Sequence, residues 1–164
     1  MNEIKVVDSF LDPSDLHQII KRTYPISSEW TIQPSSKYVS SHLQEFLKLD
    51  VTEEEYFNTT IFGYLKKHLD REYKVESIYF NGQWFGREGT HHIDPCERTA
   101  LIYINPYEYG WGGFTEIMTS ATDPKIIVPL QNRLVIFPGK LKHKGYSFSY
   151  QHCPMRITLA YKLL

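Results

Sequence analysis

Apolar and polar positions alternate through much of the second half of the chain. The clearest run spans residues 156–163: Ile157, Leu159 and Tyr161 share one face, and Arg156, Thr158 and Ala160 the other. A period of two marks a strand with two unlike faces. Further strands are predicted at 74–80, 98–105, 114–118, 125–130, 133–137 and 144–149, with a short one at 4–10. Turn signals separate several of them: Asn105-Pro106, Gly110-Trp111-Gly112-Gly113, Gln131-Asn132 and Pro138-Gly139. Many short strands at close spacing suggest a sandwich or jelly roll.

The first half changes period. Asp12-Pro13-Ser14-Asp15 reads as a helix start, with Asp12 as cap and Pro13 at the first helical position, where its missing N–H is not needed. Leu16, Ile19 and Ile20 give that helix an apolar stripe. A longer helix is predicted over 53–71. Thr52 and Glu55 have capping-box spacing, and Phe57, Ile61, Tyr64, Leu65 and Leu69 fall on one face. Residues 25–50 are poorly patterned, with Trp30 and Ile32 assigned to a strand. The expected class is α+β, mainly β: a cupin-like double-stranded β-helix (a jelly roll) with N-terminal helices packed on one sheet. One domain over 1–164 is expected, with a helical support region at 1–73 and a β-core at 74–164.

Composition narrows the function classes. A chain of 164 residues fits one domain. The formal net charge of −1 lacks the basic excess usual in a nucleic-acid binder, so nucleic acid is not an expected partner. The aromatic share is 15%, with 12 Tyr, so many hydroxyl contacts are expected around the core. No apolar run is long enough to cross a membrane, and the first residues lack the pattern of a signal peptide. Cys96 and Cys153 are expected to be free thiols in a reducing compartment. A cytoplasmic protein is the expectation, or one of the host cytoplasm if the source is a virus.

Candidate chemistry gathers around Thr90-His91-His92-Ile93-Asp94-Pro95. His92 and Asp94 are two apart, so in an extended segment they point the same way. His143, after the Pro138-Gly139 turn, is the candidate third ligand. Two His and one carboxylate form the facial triad of non-haem Fe(II) oxygenases, with positions left open on the metal. Alone, the His-x-Asp pair is common by chance and reads more readily as a solvated surface turn. His91 points away from Asp94 and is read as structural or exposed. His152 is the competing third ligand, read as a loop residue. The polar face of 156–163 also leaves two readings: an exposed face with a surface Arg156, or an inward Arg156 that needs an anionic partner.

The order of these pieces resembles the 2-oxoglutarate- and Fe(II)-dependent oxygenases, and most closely their prolyl 4-hydroxylase-like branch of bacterial and viral type. The resemblance rests on His92-Ile93-Asp94, then His143, then Arg156-Ile157-Thr158. Supporting pieces are Asn81-Gly82-Gln83, Leu101-Ile102-Tyr103-Ile104-Asn105-Pro106, Trp111-Gly112-Gly113-Phe114-Thr115, and the 132–139 segment, with a looser match at Val6 to Leu11. It implies that His92, Asp94 and His143 ligate Fe(II). Arg156 would hold the distal carboxylate of 2-oxoglutarate, with Thr158 beside it and the Tyr103 hydroxyl on the same carboxylate. Gln83 and Trp84 would line the mouth. O2 would be the second cosubstrate and ascorbate an accessory reductant. The implied activity is hydroxylation of a C–H bond, preferably in a prolyl residue of a peptide or protein. A free amino acid or small metabolite is the alternative substrate, and a non-catalytic cupin-like metal-binding module the alternative class. Two departures matter. Collagen-type prolyl hydroxylases carry Lys where this chain has Arg156. Alkylated-nucleic-acid demethylases carry a second Arg six residues on, where this chain has Lys162.

Overall fold

The computed structural model describes residues 3–34, 45–149 and 154–164. In chain order the elements are β1 (Lys5–Val7), α1 (Pro13–Thr23), β2 (Thr31–Pro34), β3 (Glu45–Asp50), a π-helical turn (Phe57–Ile61) running into α2 (Phe62–Lys66), β4 (Val75–Gln83), β5 (Arg98–Tyr103), β6 (Thr115–Met118), β7 (Pro124–Ile127), β8 (Leu134–Pro138), β9 (His143–Gly145) and β10 (Arg156–Leu163). The strands form two antiparallel sheets. The larger has the order β1-β8-β5-β10-β4-β3-β2, the smaller β7-β6-β9. They face each other as a double-stranded β-helix, and the helices cover the outer face of the larger sheet.

Strand alternation explains both faces. Ile157, Leu159, Tyr161 and Leu163 of β10 join Ile78, Phe80, Ile102 and Leu134 in one core beneath the helices, with Ile19, Phe57, Ile61 and Leu65. Ala160, Leu101, Tyr103, Val135 and Phe137 point the other way and meet Ile117 and Ile127 of the smaller sheet. Every residue of β10 is buried, so the reading of its polar face as solvent-exposed fails.

The helical region departs from expectation. Helix begins near Glu55 and α2 ends at Lys66, so the 53–71 helix is shorter than its periodicity implies. Thr52 makes no capping box. Its hydroxyl instead accepts from Ile78 N at 3.0 Å and reaches Ile78 O at 3.2 Å, because the β3–β4 pairing brings that backbone alongside. The π turn leaves Phe57 O accepting the buried Tyr161 hydroxyl at 2.9 Å. Asp12 sits at the N-cap of α1, but its carboxylate makes no cap bond and accepts from Tyr64 Oη at 2.6 Å. β3 lies inside the segment read as unpatterned. Cys96 is a free thiol, whereas His152 and Cys153 lie outside the described residues.

Candidate active site

A cavity of about 540 Å³ opens between the sheets, and His92, Asp94, His143, Gln83, Arg156 and Thr158 all line it. Two backbone hydrogen bonds, His92 N to His143 O (3.0 Å) and His143 N to His92 O (2.9 Å), clip the His92 segment to β9. This bridge brings together side chains 51 positions apart in sequence, with ring centroids 4.3 Å apart. Asp94 is placed by its own N–H, which donates to Gly139 O at 2.9 Å. Gly139 is needed there, since a Cβ would collide with Cys96 O.

The potential ligand atoms of His92, Asp94 and His143 lie within 4.8 Å of one another. His143 Nε2 is 3.3 Å from Asp94 Oδ2, and His92 Nε2 is 3.7 Å from Asp94 Oδ1. Each Nδ1 faces a backbone carbonyl two residues earlier: Thr90 O for His92 and Leu141 O for His143, both at 2.8 Å. A carbonyl only accepts, so each Nδ1 carries the proton and each Nε2 presents a lone pair to the cavity. Burial, and then the adjacent His143 ring, push the His92 imidazole below its ordinary range, which keeps it neutral. Burial pushes the Asp94 carboxyl up, but the adjacent His143 ring and the Lys162 ammonium outweigh this and hold it well below the usual carboxylate range.

Two residues that sequence reasoning missed hold Asp94. Thr99 Oγ1 donates to Asp94 Oδ2 at 2.6 Å, and the Lys162 ammonium ion-pairs with the same oxygen. Among the described residues Asp94 Oδ1 accepts no hydrogen bond, and it faces His92. Lys162 and Thr99 are cross-strand partners on β10 and β5, pointing inward by the parity that places Arg156 inside. Extending the 156–160 alternation by one step would have found the lysine.

Arg156 is 3% exposed. Its Nε donates to Gly113 O (2.7 Å), Nη1 to Gln83 Oε1 (2.7 Å) and Nη2 to Thr115 Oγ1 (2.9 Å). All three acceptors are neutral, and no carboxylate pairs with it among the described residues. Burial pulls its pKa down, opposed by the Tyr103 phenol beside it, yet an arginine stays charged. Gly113 has φ +72°, and a Cβ there would meet the Phe148 ring at 2.5 Å. The Gly112-Gly113 turn, one of the turn signals in the sequence, therefore delivers the carbonyl that orients the guanidinium.

The other expected site residues fall in different places. Gln83 lines the cavity, and its Nε2 donates to Arg87 O and Gly145 O, both at 3.2 Å. Thr158 lines the cavity between Asn81 and Tyr103, its cross-strand partners. Tyr103 is buried behind the wall, where its hydroxyl donates to Thr115 Oγ1 at 2.7 Å. Trp84 is not among the lining residues; the Arg87 guanidinium lies 5.7 Å from its ring. His91 points away and contacts Glu116 Oε1 at 2.6 Å.

No family model matches the chain, and no curated protein matches it. Solved structures do. A prolyl hydroxylase from Trichoplax adhaerens, in complex with a hypoxia inducible factor oxygen degradation domain peptide fragment, superimposes with a TM-score of 0.80 at 16% identity, covering 100% of this chain and 84% of that one. A Pseudomonas putida prolyl-4-hydroxylase gives 0.77 at 14% identity, covering 100% and 94%. The non-heme alpha ketoglutarate dependent epimerase SnoN from nogalamycin biosynthesis gives 0.68 at 10% identity, covering 98% and 78%. The chain thus has the double-stranded β-helix fold of the 2-oxoglutarate- and Fe(II)-dependent oxygenases, in a form closely similar to prolyl hydroxylases.

Proposed function

We propose that this chain is an Fe(II)- and 2-oxoglutarate-dependent oxygenase that hydroxylates a C–H bond, with a prolyl residue in a peptide or protein as its preferred substrate class. One observation carries the reading. A buried guanidinium without a carboxylate partner among the described residues shares a cavity with two imidazoles and a carboxylate already turned toward one another. The donor set fits a divalent iron: two neutral nitrogens, one anionic oxygen and room for further ligands. Iron held by His92, Asp94 and His143 would supply O2 activation, coupling oxidative decarboxylation of 2-oxoglutarate to hydroxylation of a C–H bond.

The spacing suits the cosubstrate. Thr115, which contacts Arg156, pairs with Gly145, two residues along β9 from His143. Two strand residues cover about 6.7 Å. The four C–C bonds of a five-carbon diacid, ~1.5 Å each, extend about 5 Å between its carboxyl carbons. Arg156 would bind the far carboxylate through its fork, with Thr158 beside it, while Leu101 lines the wall with apolar surface. Gln83, Thr115 and Gly113 fix the fork before the ligand arrives, and Tyr103 fixes Thr115 from behind. The prolyl preference draws support from the fold likeness and from the peptide in the Trichoplax structure.

The test is succinate release from 2-oxoglutarate in the presence of Fe(II), O2 and ascorbate, alone and with prolyl peptides. Metal-dependent succinate formation that the peptides stimulate is expected. Metal binding with no succinate under any condition would instead mark an inert metal-binding module.

A further inference from the structure

We propose that Lys48 and Asn81 form a carboxylate-binding subsite beside the metal ligands, so that the substrate carries a carboxylate within a few bonds of the carbon that is oxidised. This rests on the oxygenase reading above and names what its substrate must look like.

Register places the two residues. Lys48 on β3 pairs with Asn81 on β4, Asn81 with Thr158 on β10, and Thr158 with Tyr103 on β5. Facing residues of adjacent strands point the same way, so this row runs across the inner face of the larger sheet. Lys48 and Asn81 both line the cavity. The Lys48 ammonium lies 4.2 Å from the Tyr79 ring centroid, and the Lys162 ammonium lies 5.8 Å from the same centroid. The two nitrogens are therefore no more than about 10 Å apart, and Lys162 touches Asp94. Lys48 has no carboxylate partner among the described residues, and the Asn81 side chain has no hydrogen-bond partner among them.

Charge balance points the same way. Asp94 is the one acid among the described lining residues. Arg156, Lys162, Lys48 and a divalent ion would face that aspartate and the 2-oxoglutarate dianion, so the loaded cavity keeps a positive excess. Lys162 is paired with Asp94 and Arg156 takes the far carboxylate of 2-oxoglutarate. Among the described lining residues, Lys48 is the cation left to the substrate. Asn81 can donate to a second carboxylate oxygen. Phe46 and the exposed Ile93 line the same cavity and offer apolar surface to the substrate's carbon skeleton.

The carboxylate has two sources, an α-carboxylate or the side chain of an acidic residue next to the reacting one. Anaerobic calorimetry on Fe(II)-loaded protein with saturating 2-oxoglutarate separates them. One pair of probes is N-acetyl-L-proline against N-acetyl-L-prolinamide; the other is N-acetyl-Pro-Glu-amide against N-acetyl-Pro-Gln-amide. In at least one pair the acid should bind roughly tenfold or more tightly than its neutral twin, the scale of a charge-assisted hydrogen bond. Lys48→Met should erase that ratio, and Lys48→Arg should keep most of it. Equal binding within both pairs, binding by neither, or an undiminished ratio in Lys48→Met overturns the subsite. So does a loss of 2-oxoglutarate affinity in Lys48→Met as large as that in Arg156→Ala, since Lys48 would then serve the cosubstrate. The 2-oxoglutarate affinity of the wild-type protein, measured first, distinguishes the two claims: if it binds none, the oxygenase reading itself has failed.

Discussion

Arg156 keeps a full charge where, among the described residues, only neutral oxygens accept its hydrogen bonds, so most of its electrostatic complement must come from a ligand. Truncating one partner of a buried charged pair costs ~2–5 kcal/mol. At ~1.4 kcal/mol per tenfold, Arg156→Ala should weaken 2-oxoglutarate by roughly 30-fold or more, with Arg156→Lys recovering part of the loss. Equilibrium titration of each variant checks this. Lys162 and Thr99 call for a different readout. Both hold Asp94 Oδ2, which leaves Oδ1 for a metal. Outer partners of this kind are worth about 10–100-fold in metal affinity. Lys162→Met and Thr99→Val should each weaken Co(II) binding, measured by calorimetry without turnover. Tighter binding in Lys162→Met would show that the ammonium competes with the ion rather than orienting its ligand. Strand parity put Arg156 and Thr158 on one face from local sequence alone, but whether that face points inward was not legible from parity, and their expected roles came from the resemblance. Gly113, Thr115 and Thr99 were not legible, since they act through contacts across 41–43 residues (the first two) or through a carboxylate that no spacing rule ties to them.

At the scale of elements, a cluster of phenols and carboxylates fastens α1 to the helical segment before β4. Tyr56 Oη donates to Asp15 at 2.7 Å, and Tyr64 Oη reaches both Asp12 (2.6 Å) and Asp15 (2.8 Å). Burial and then Asp15 push the Tyr56 phenol well above its ordinary range; the bonds to Asp12 and Asp15 do the same for Tyr64. Above pH ~10 an unfolded tyrosine ionises while these two stay protonated, so rising pH favours the unfolded chain. The stability they provide is therefore complete below pH ~10 and is lost above it. Urea midpoints at pH 9 and pH 11 should fall steeply for the wild type and less for Tyr64→Phe; equal slopes would remove the cluster from the account. The many tyrosines announced hydroxyl contacts, but not their partners. The capping-box spacing misled because Thr52 is drawn to β4, a competition between local and distant backbone that a window of four residues cannot show. β3 escaped because both its faces carry apolar residues: Phe46 inside, Leu47 and Leu49 outside.

For the molecule as a whole, the strand order keeps β2, β3 and β4 side by side but interleaves β1, β8, β5, β10 and β4 from distant parts of the chain, and a separate bridge joins His92 to β9. Alternation showed that strands exist; only the ordered motifs pointed to this topology, because pairing between distant strands leaves no periodic trace. The net charge of −1 likewise hid a cavity whose described charged lining residues are the cations Lys48, Arg156 and Lys162 against the single acid Asp94. Since the proposed metal and cosubstrate would bind only the assembled barrel, both together should raise its melting temperature. Ligand at about 100 times its Kd adds ~2.7 kcal/mol, or roughly 5–10 °C for a domain of this size. Differential scanning fluorimetry under nitrogen reads that shift, and chelator should reverse it. The central claim is that one cavity holds a metal on His92, Asp94 and His143 and a dicarboxylate on Arg156. Anaerobic titration of 2-oxoglutarate into wild-type, His143→Ala and Arg156→Ala protein, each with and without Fe(II), tests it most directly. The expected result is tight binding by the wild type only with metal, weak metal-dependent binding by Arg156→Ala, and no metal dependence in His143→Ala. Equal affinities across the three proteins, indifferent to metal, would contradict the account.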